Sequence, residues 1–180
     1  MNYTKESLLP LYLDLIQKAN FPLTDEELKS LVVNDFGLDN LREEGFGLID
    51  LLRSERVRVN LVVLLPNQSL PEHLHPAYEN EKGKEETIRV LYGTTRVFIE
   101  GEPDTEINIP KGKERWYTAL KRIDLKVGEQ FTVPAQVKHW FQAGETGSVN
   151  IAFQNRVNES HNVFYDPASD GCKISNENKY

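Results

Sequence analysis

Apolar positions recur at helical spacing over the first forty residues and at strand spacing from Gly47 onward. In "ESLLPLYLDLIQKA", Leu8, Leu11, Leu15 and Ile16 fall near one stripe of a helix, with Pro10 placed to kink or delimit it. Thr24 and Glu27 in "TDEE" form a capping-box signature. It predicts a second helix running to about Asn34, with Gly37 as its stop. After Gly47 come short runs rich in β-branched and aromatic residues: 48–53, 57–65, 87–93, 95–101, 122–128, 129–134, 137–144, 149–155 and 162–166. Several alternate apolar with polar residues, as half-buried antiparallel strands do. Many short strands at such spacing predict a mainly all-β fold, a sandwich or barrel. The chain divides into a helical segment over 1–46 packed on the barrel, a β domain over 47–167 and a polar tail over 168–180.

Composition narrows the functions open to this chain. A length of 180 residues suffices for one domain with a substantial core. With 39% hydrophobic and 27% charged residues, the composition is that of a soluble globular protein. A net charge of -7 argues against a nucleic-acid partner, which needs a basic face. No apolar run approaches the length of a membrane span, so no membrane role is expected. The first residues lack the basic-then-apolar layout of a signal peptide. Cys172 is the single cysteine, which excludes an internal disulfide and makes the reducing cytoplasm the expected location.

The candidate chemistry centres on "EHLHPAYENEKGKEET". On a strand, residues i and i+2 share a face, so His73 and His75 would aim two imidazoles at one point. Taken alone, the pair could equally be two exposed histidines on a polar loop. Glu86 opens the next predicted strand and is followed by six residues and Gly93. Further on, Gly128 is followed by five residues and Pro134, and His139 comes five positions after that proline.

This layout resembles the cupin family, whose motifs read G-x5-H-x-H-x(3,4)-E-x6-G and G-x5-P-x-G-x2-H-x3-N. Asn67 stands for the leading glycine, and asparagine tolerates the left-handed turn conformation. Ten residues separate His75 from Glu86, so "PAYENEKGKE" is an inserted loop, solvated or acting as a lid. In the second motif Gln136 replaces the glycine and Ala143 the asparagine. The resemblance implies a jelly-roll double-stranded β-barrel in which His73, His75, Glu86 and His139 converge on a divalent metal. Three neutral imidazoles and one carboxylate leave such an ion one net positive charge and open positions for substrate oxygens. Mn²⁺ or Fe²⁺ suits this nitrogen–oxygen set, with Co²⁺, Ni²⁺ or Zn²⁺ possible on affinity grounds.

"PEHLHP", "GKEETIRVLYG", "VFIEGE", "KHWFQAGE" and "HNVFYDP" resemble more closely the D-lyxose isomerase family of cupins. The resemblance implies Mn²⁺ as the metal, a homodimer, and interconversion of D-lyxose with D-xylulose, often with D-mannose and D-fructose. A metal holding two oxygens of an open-chain sugar would stabilise developing negative charge, while a carboxylate or lysine moves the proton. Where the family carries a lysine before the His pair and a glutamate after the last histidine, this chain has Asn60 and Ala152. Arg58 or Lys84 could supply the missing charge. The catalytic candidates that remain are Lys84, otherwise a solvated loop lysine, and Asp166, otherwise part of an Asp-Pro turn. Two other readings stay open: an Fe²⁺ or Mn²⁺ dioxygenase or decarboxylase on the same ligand set, and a sugar-binding cupin without turnover.

Overall fold

The computed structural model describes residues 3–104, 106–155 and 159–169. Cys172 and the tail from residue 170 on lie outside the described residues.

Helix α1 (Lys5–Ala19) starts at a capping box. The Thr4 hydroxyl accepts from the Ser7 N–H, and the Ser7 hydroxyl accepts from the Thr4 N–H. It runs through Pro10 without ending there. Its buried stripe is Leu8, Tyr12, Leu15 and Ile16, while Leu11, expected on that stripe, is exposed. Tyr12 can be buried because its hydroxyl bonds the Gln68 side chain, 3.0 Å from Oε1. Helix α2 (Asp25–Lys29) has the expected Thr24–Glu27 capping box but does not reach Asn34. Val32–Asn34 instead form strand β1, drawn into register against Phe46–Leu48. Two adjacent valines favour the extended state, and the sheet supplies their backbone partners.

Eight further strands follow: β2 (Phe46–Arg53), β3 (Val57–Leu64), β4 (Ser69–Leu74), β5 (Glu86–Ile99), β6 (Lys121–Lys126), β7 (Gln130–Val133), β8 (His139–Asn155) and β9 (Val163–Phe164). β4 was not among the strands expected from the pattern. Pro71 interrupts its run, and the pairing with β8 shifts register between Leu70 and His73, where that proline cannot donate. In the other direction, two pairs of expected strands fuse. The expected runs 87–93 and 95–101 merge into β5, which ends at Ile99, and 137–144 and 149–155 merge into β8, which begins at His139.

β5 and β8 pair antiparallel along their whole length, from Glu86↔Gln154 to Ile99↔His139. Register shifts at Val90/Tyr92 and Gly93/Thr95 mark where this long ribbon turns over. Its two halves belong to two facing layers. In the first, β1-β2-β3 join the C-terminal half of β8, which joins the N-terminal half of β5 and then β7. In the second, β9-β4 join the N-terminal half of β8, then the C-terminal half of β5 and β6. This curled antiparallel sheet is the jelly roll expected from the motifs.

Phe46, Leu48, Val62, Leu64, Ile88, Val90, Val97, Phe141 and Ala152 fill the barrel. α1 covers the outer face of the first layer through Ile49, Leu61, Val63 and Val149. A segment carrying Tyr117 and Ala119 covers the second layer over Phe98 and Trp140.

Gly93 is where the ribbon bends. It has φ +71°, and a Cβ there would lie 2.0 Å from the Gly147 carbonyl oxygen, with backbone on both sides. The variant Gly93→Ala is expected to lose about 2 kcal/mol, or several degrees of melting temperature. An unchanged melting temperature would show that the two backbones are not in enforced contact.

Candidate metal centre

Each predicted metal ligand is set by a strand end. His73 lies in β4, His75 just beyond it, Glu86 opens β5 and His139 opens β8. His73 and His139 are direct cross-strand partners in the second layer, and Glu86 reaches in from the first. The structure brings all four together, with one ligand atom from each within 4.8 Å of the others, and all four residues buried.

The rings are held in one tautomer. His73 Nδ1 lies 2.8 Å from the Pro71 carbonyl oxygen, and His139 Nδ1 lies 2.8 Å from that of Val137. A carbonyl oxygen only accepts, so each Nδ1 carries the hydrogen and each Nε2 keeps its lone pair. His75 Nδ1 donates to Asn162 Oδ1 at 2.8 Å. The Nε2 atoms of His75 and His139 are buried with no hydrogen-bond partner. Buried lone pairs left empty on two converging rings fit a metal, with the Nδ1 partners as the supporting shell.

The electrostatics agree. Burial, then the neighbouring His139 and His75, hold His73 well below its ordinary pKa. Burial and the Lys84 cation lower His75. Burial and His75 bring His139 down to about 4. All three imidazoles are therefore neutral at pH 7, as metal ligands must be. Burial alone would raise Glu86, but the Lys84 cation outweighs it and keeps the carboxylate ionised, well below its ordinary value.

Lys84 is buried, not solvated, and its Nζ lies 3.6 Å from Glu86 Oε2. It lines a narrow cavity of about 50 Å³ with His73, Glu86, Arg58, Asn60 and Gln154, closed on the apolar side by Phe36, Phe46 and Phe164. Phe164 stacks on the His73 ring at 5.2 Å. Asn162, Phe164, Phe36 and Phe46 were not expected at the site. Asn162 and Phe164 share the i, i+2 spacing of His73 and His75, which was the available signal.

The structure does not bring Asp166 to this cluster. Its carboxylate pairs with Lys113, which also lies 3.5 Å from the buried Glu44, and it accepts from the Ala168 N–H at 2.9 Å. Tyr117 donates to Glu44 at 2.7 Å, so Asp166 belongs to the layer over the outer face of the barrel. Trp140 and Tyr117 pack in that same outer layer and do not wall the cavity. Asn60 and Ala152 face one another across β3 and β8, so the two departures from the family pattern are cross-strand neighbours. The two motif positions lacking glycine keep a left-handed backbone, with φ 58° at Asn67 and 65° at Gln136.

No family model matches the chain. Among curated proteins, it is 37% identical over 156 residues to a D-lyxose ketol-isomerase of Cohnella laeviribosi, covering 86% of each chain. It is equally similar, 37% over 156 residues and 86% of each chain, to a D-lyxose/D-mannose isomerase of Thermosediminibacter oceani. In fold it resembles the L-ribose isomerase of Acinetobacter sp. DL28, with TM-score 0.75, 15% identity and 92% of each chain covered. That of Geodermatophilus obscurus is similar, with TM-score 0.74, 15% identity, and 94% and 96% of the two chains covered. With identity at this level over most of its length, and a barrel interior that gathers three histidines and a glutamate, the chain belongs to the D-lyxose isomerase family of cupin-fold proteins.

Proposed function

We propose that this chain is a divalent-metal-dependent aldose–ketose isomerase acting on a small sugar, with D-lyxose and D-xylulose as the first pair to test and D-mannose and D-fructose as the second. The observation that carries this is the buried set of three neutral imidazoles and one carboxylate, with empty Nε2 lone pairs, beside a cavity lined by amides and a lysine. His73, His75, Glu86 and His139 would hold the ion, Mn²⁺ before Fe²⁺, Co²⁺, Ni²⁺ or Zn²⁺. When bound, it would supply a Lewis acid for the carbonyl and adjacent hydroxyl oxygens of the open-chain sugar. We also take the protein to be cytoplasmic and a homodimer. Exposed Leu52, Val57 and Phe153 on the outer face of the first layer support a second copy packing there.

Isomerisation moves the C2 hydrogen to C1 and the O2 proton to O1, with no net gain or loss. Among the described residues lining the cavity, Glu86 and His73 are in the ligand set, Arg58 stays cationic, and Asn60, Gln154 and Asn162 do not titrate. Lys84 is the group left to hold or pass a proton. Phe36, Phe46 and Phe164 keep bulk water from the reacting carbons. A second reading, sugar binding without turnover, is favoured by the facing Asn60 and Ala152.

Mn²⁺-loaded protein, checked for one ion per chain, is expected to convert D-lyxose to D-xylulose. In deuterium oxide, label at C1 of the ketose supports transfer through an exchangeable group, for which Lys84 is the candidate. Ketose without label would mean that the hydrogen never exchanges with solvent, either passing directly between the carbons or being returned by a shielded base. Metal bound, sugar bound and no ketose from either pair would leave the binding-only reading. In Lys84→Met, turnover is expected to fall about a hundredfold or more with metal content retained. Unchanged turnover would remove Lys84 from the chemistry.

The metal-free protein is expected to be acid-sensitive. His139 has its ordinary pKa of 6.5 when unfolded and about 4 when folded. Between those values the unfolded chain binds more protons, so stability falls as pH drops from 6.5 toward 4. The full shift corresponds to about 3 kcal/mol. Thermal melts across this window should be steeper for the parent than for His139→Gln, and equal slopes would contradict the assignment.

A further inference from the structure

A chain of hydrogen bonds crosses the first layer and ends in the cavity. On β2, Asp50 holds Arg58 on both oxygens: Oδ1 accepts from Nε at 2.6 Å and Oδ2 from a terminal nitrogen at 2.9 Å. Asp50 Oδ1 also accepts from the Asn60 side-chain amide. Asn60 Oδ1 in turn accepts from the Gln154 side-chain amide. Gln154 Oε1 is buried and has no hydrogen-bond partner.

The direction of this chain is not arbitrary. A carboxylate only accepts, so Asn60 must turn its NH₂ toward Asp50 and its oxygen toward Gln154. Gln154 must then give its NH₂ to Asn60, which leaves its oxygen unpaired. Asp50 is outside the cavity lining, whereas Asn60 and Gln154 line it with Lys84, Glu86 and His73. A buried acceptor left empty beside the metal ligands calls for a donor that arrives with the ligand.

We infer that Gln154 Oε1 accepts a hydrogen bond from one hydroxyl of the bound open-chain sugar, and that Asn60 and Asp50 are positioning residues that fix the orientation of its amide. This rests on the sugar isomerase reading above and adds a specificity contact on the wall where the family's lysine and glutamate are missing. Gln154 performs no proton transfer. Its amide is a neutral acceptor, so it discriminates among sugars by whether a hydroxyl is present and correctly placed.

The test uses the Mn²⁺-loaded full chain and D-arabinitol, the open-chain pentitol of D-lyxose, which has no carbonyl and so cannot turn over. Calorimetry measures its affinity and those of its monodeoxy analogues for the parent, Gln154→Leu and Asp50→Asn. In the parent, removal of one particular hydroxyl is expected to weaken binding roughly tenfold or more. Gln154→Leu should weaken the parent polyol to the same degree and show no further loss with that deoxy analogue. Asp50→Asn, one hydrogen bond behind the cavity wall, should produce the same hydroxyl-selective loss, because its amide no longer dictates how Asn60 turns. A merely structural role would weaken all analogues alike. Parent-like affinity in Gln154→Leu, or losses that simply add, would overturn the inference while leaving the isomerase intact if ketose still forms. Absence of polyol binding to the parent, with no ketose formed from either sugar, would overturn both.

Discussion

Everything at the candidate metal centre depends on the β5–β8 ribbon turning over on itself. Glu86 and His139 sit at opposite ends of the ladder that this ribbon forms. Laid flat, the stretch of β5 between Glu86 and Ile99 would hold those ends about 43 Å apart. In the folded chain their ligand atoms lie within 4.8 Å. The close approach of the two backbones makes the turn: a Cβ on Gly93 would strike the Gly147 carbonyl, and one on Gly147 would strike Leu15 and the Leu64 carbonyl. The ligand set is thus a product of curvature in the sheet, and both facing layers contribute to it.

The cost of gathering three imidazoles, a carboxylate and a lysine in a closed space is met by local bonding. His73 and His139 both use the carbonyl two residues earlier in the chain, which fixes the ring without recruiting a distant element. Lys84 balances Glu86 at 3.6 Å, so the carboxylate stays ionised despite its burial. The apolar side of the cavity, with Phe164 stacked on His73, keeps the surroundings dry and the histidines neutral.

Much of this was legible in the amino-acid sequence, for reasons that differ by residue. The alternation of a strand is enough to put His73 and His75 on one face, but Glu86 and His139 join them only through motif spacing. Asn67 and Gln136 occupy motif glycine positions, and both take the left-handed backbone that a glycine would supply. β4 was hidden because Pro71 breaks its apolar run while the fold absorbs the proline in a register shift. The local pattern extends the second helix to Asn34 because the pairing of Val32–Asn34 with β2, which ends it early, is a tertiary contact. Lys84 looked like part of a charged loop, and only the fold shows that it is buried. Asp166 was ambiguous locally, and its partner Lys113, 53 residues away, is a pairing that no local pattern announces.

Asn162 and Phe164 come late in the chain, after every candidate metal donor. His75 takes its ring orientation from Asn162, and His73 is covered by Phe164 on β9. The four donors are all present once His139 has been made, yet the pocket they form has no lock on one ring and no cover on another until more than twenty further residues have been added. β8 runs on to Asn155 and joins β3, β4 and β5, so the sheet too closes only with the last strands. Closure of the barrel and completion of the candidate centre are thus one late event in the chain and not two.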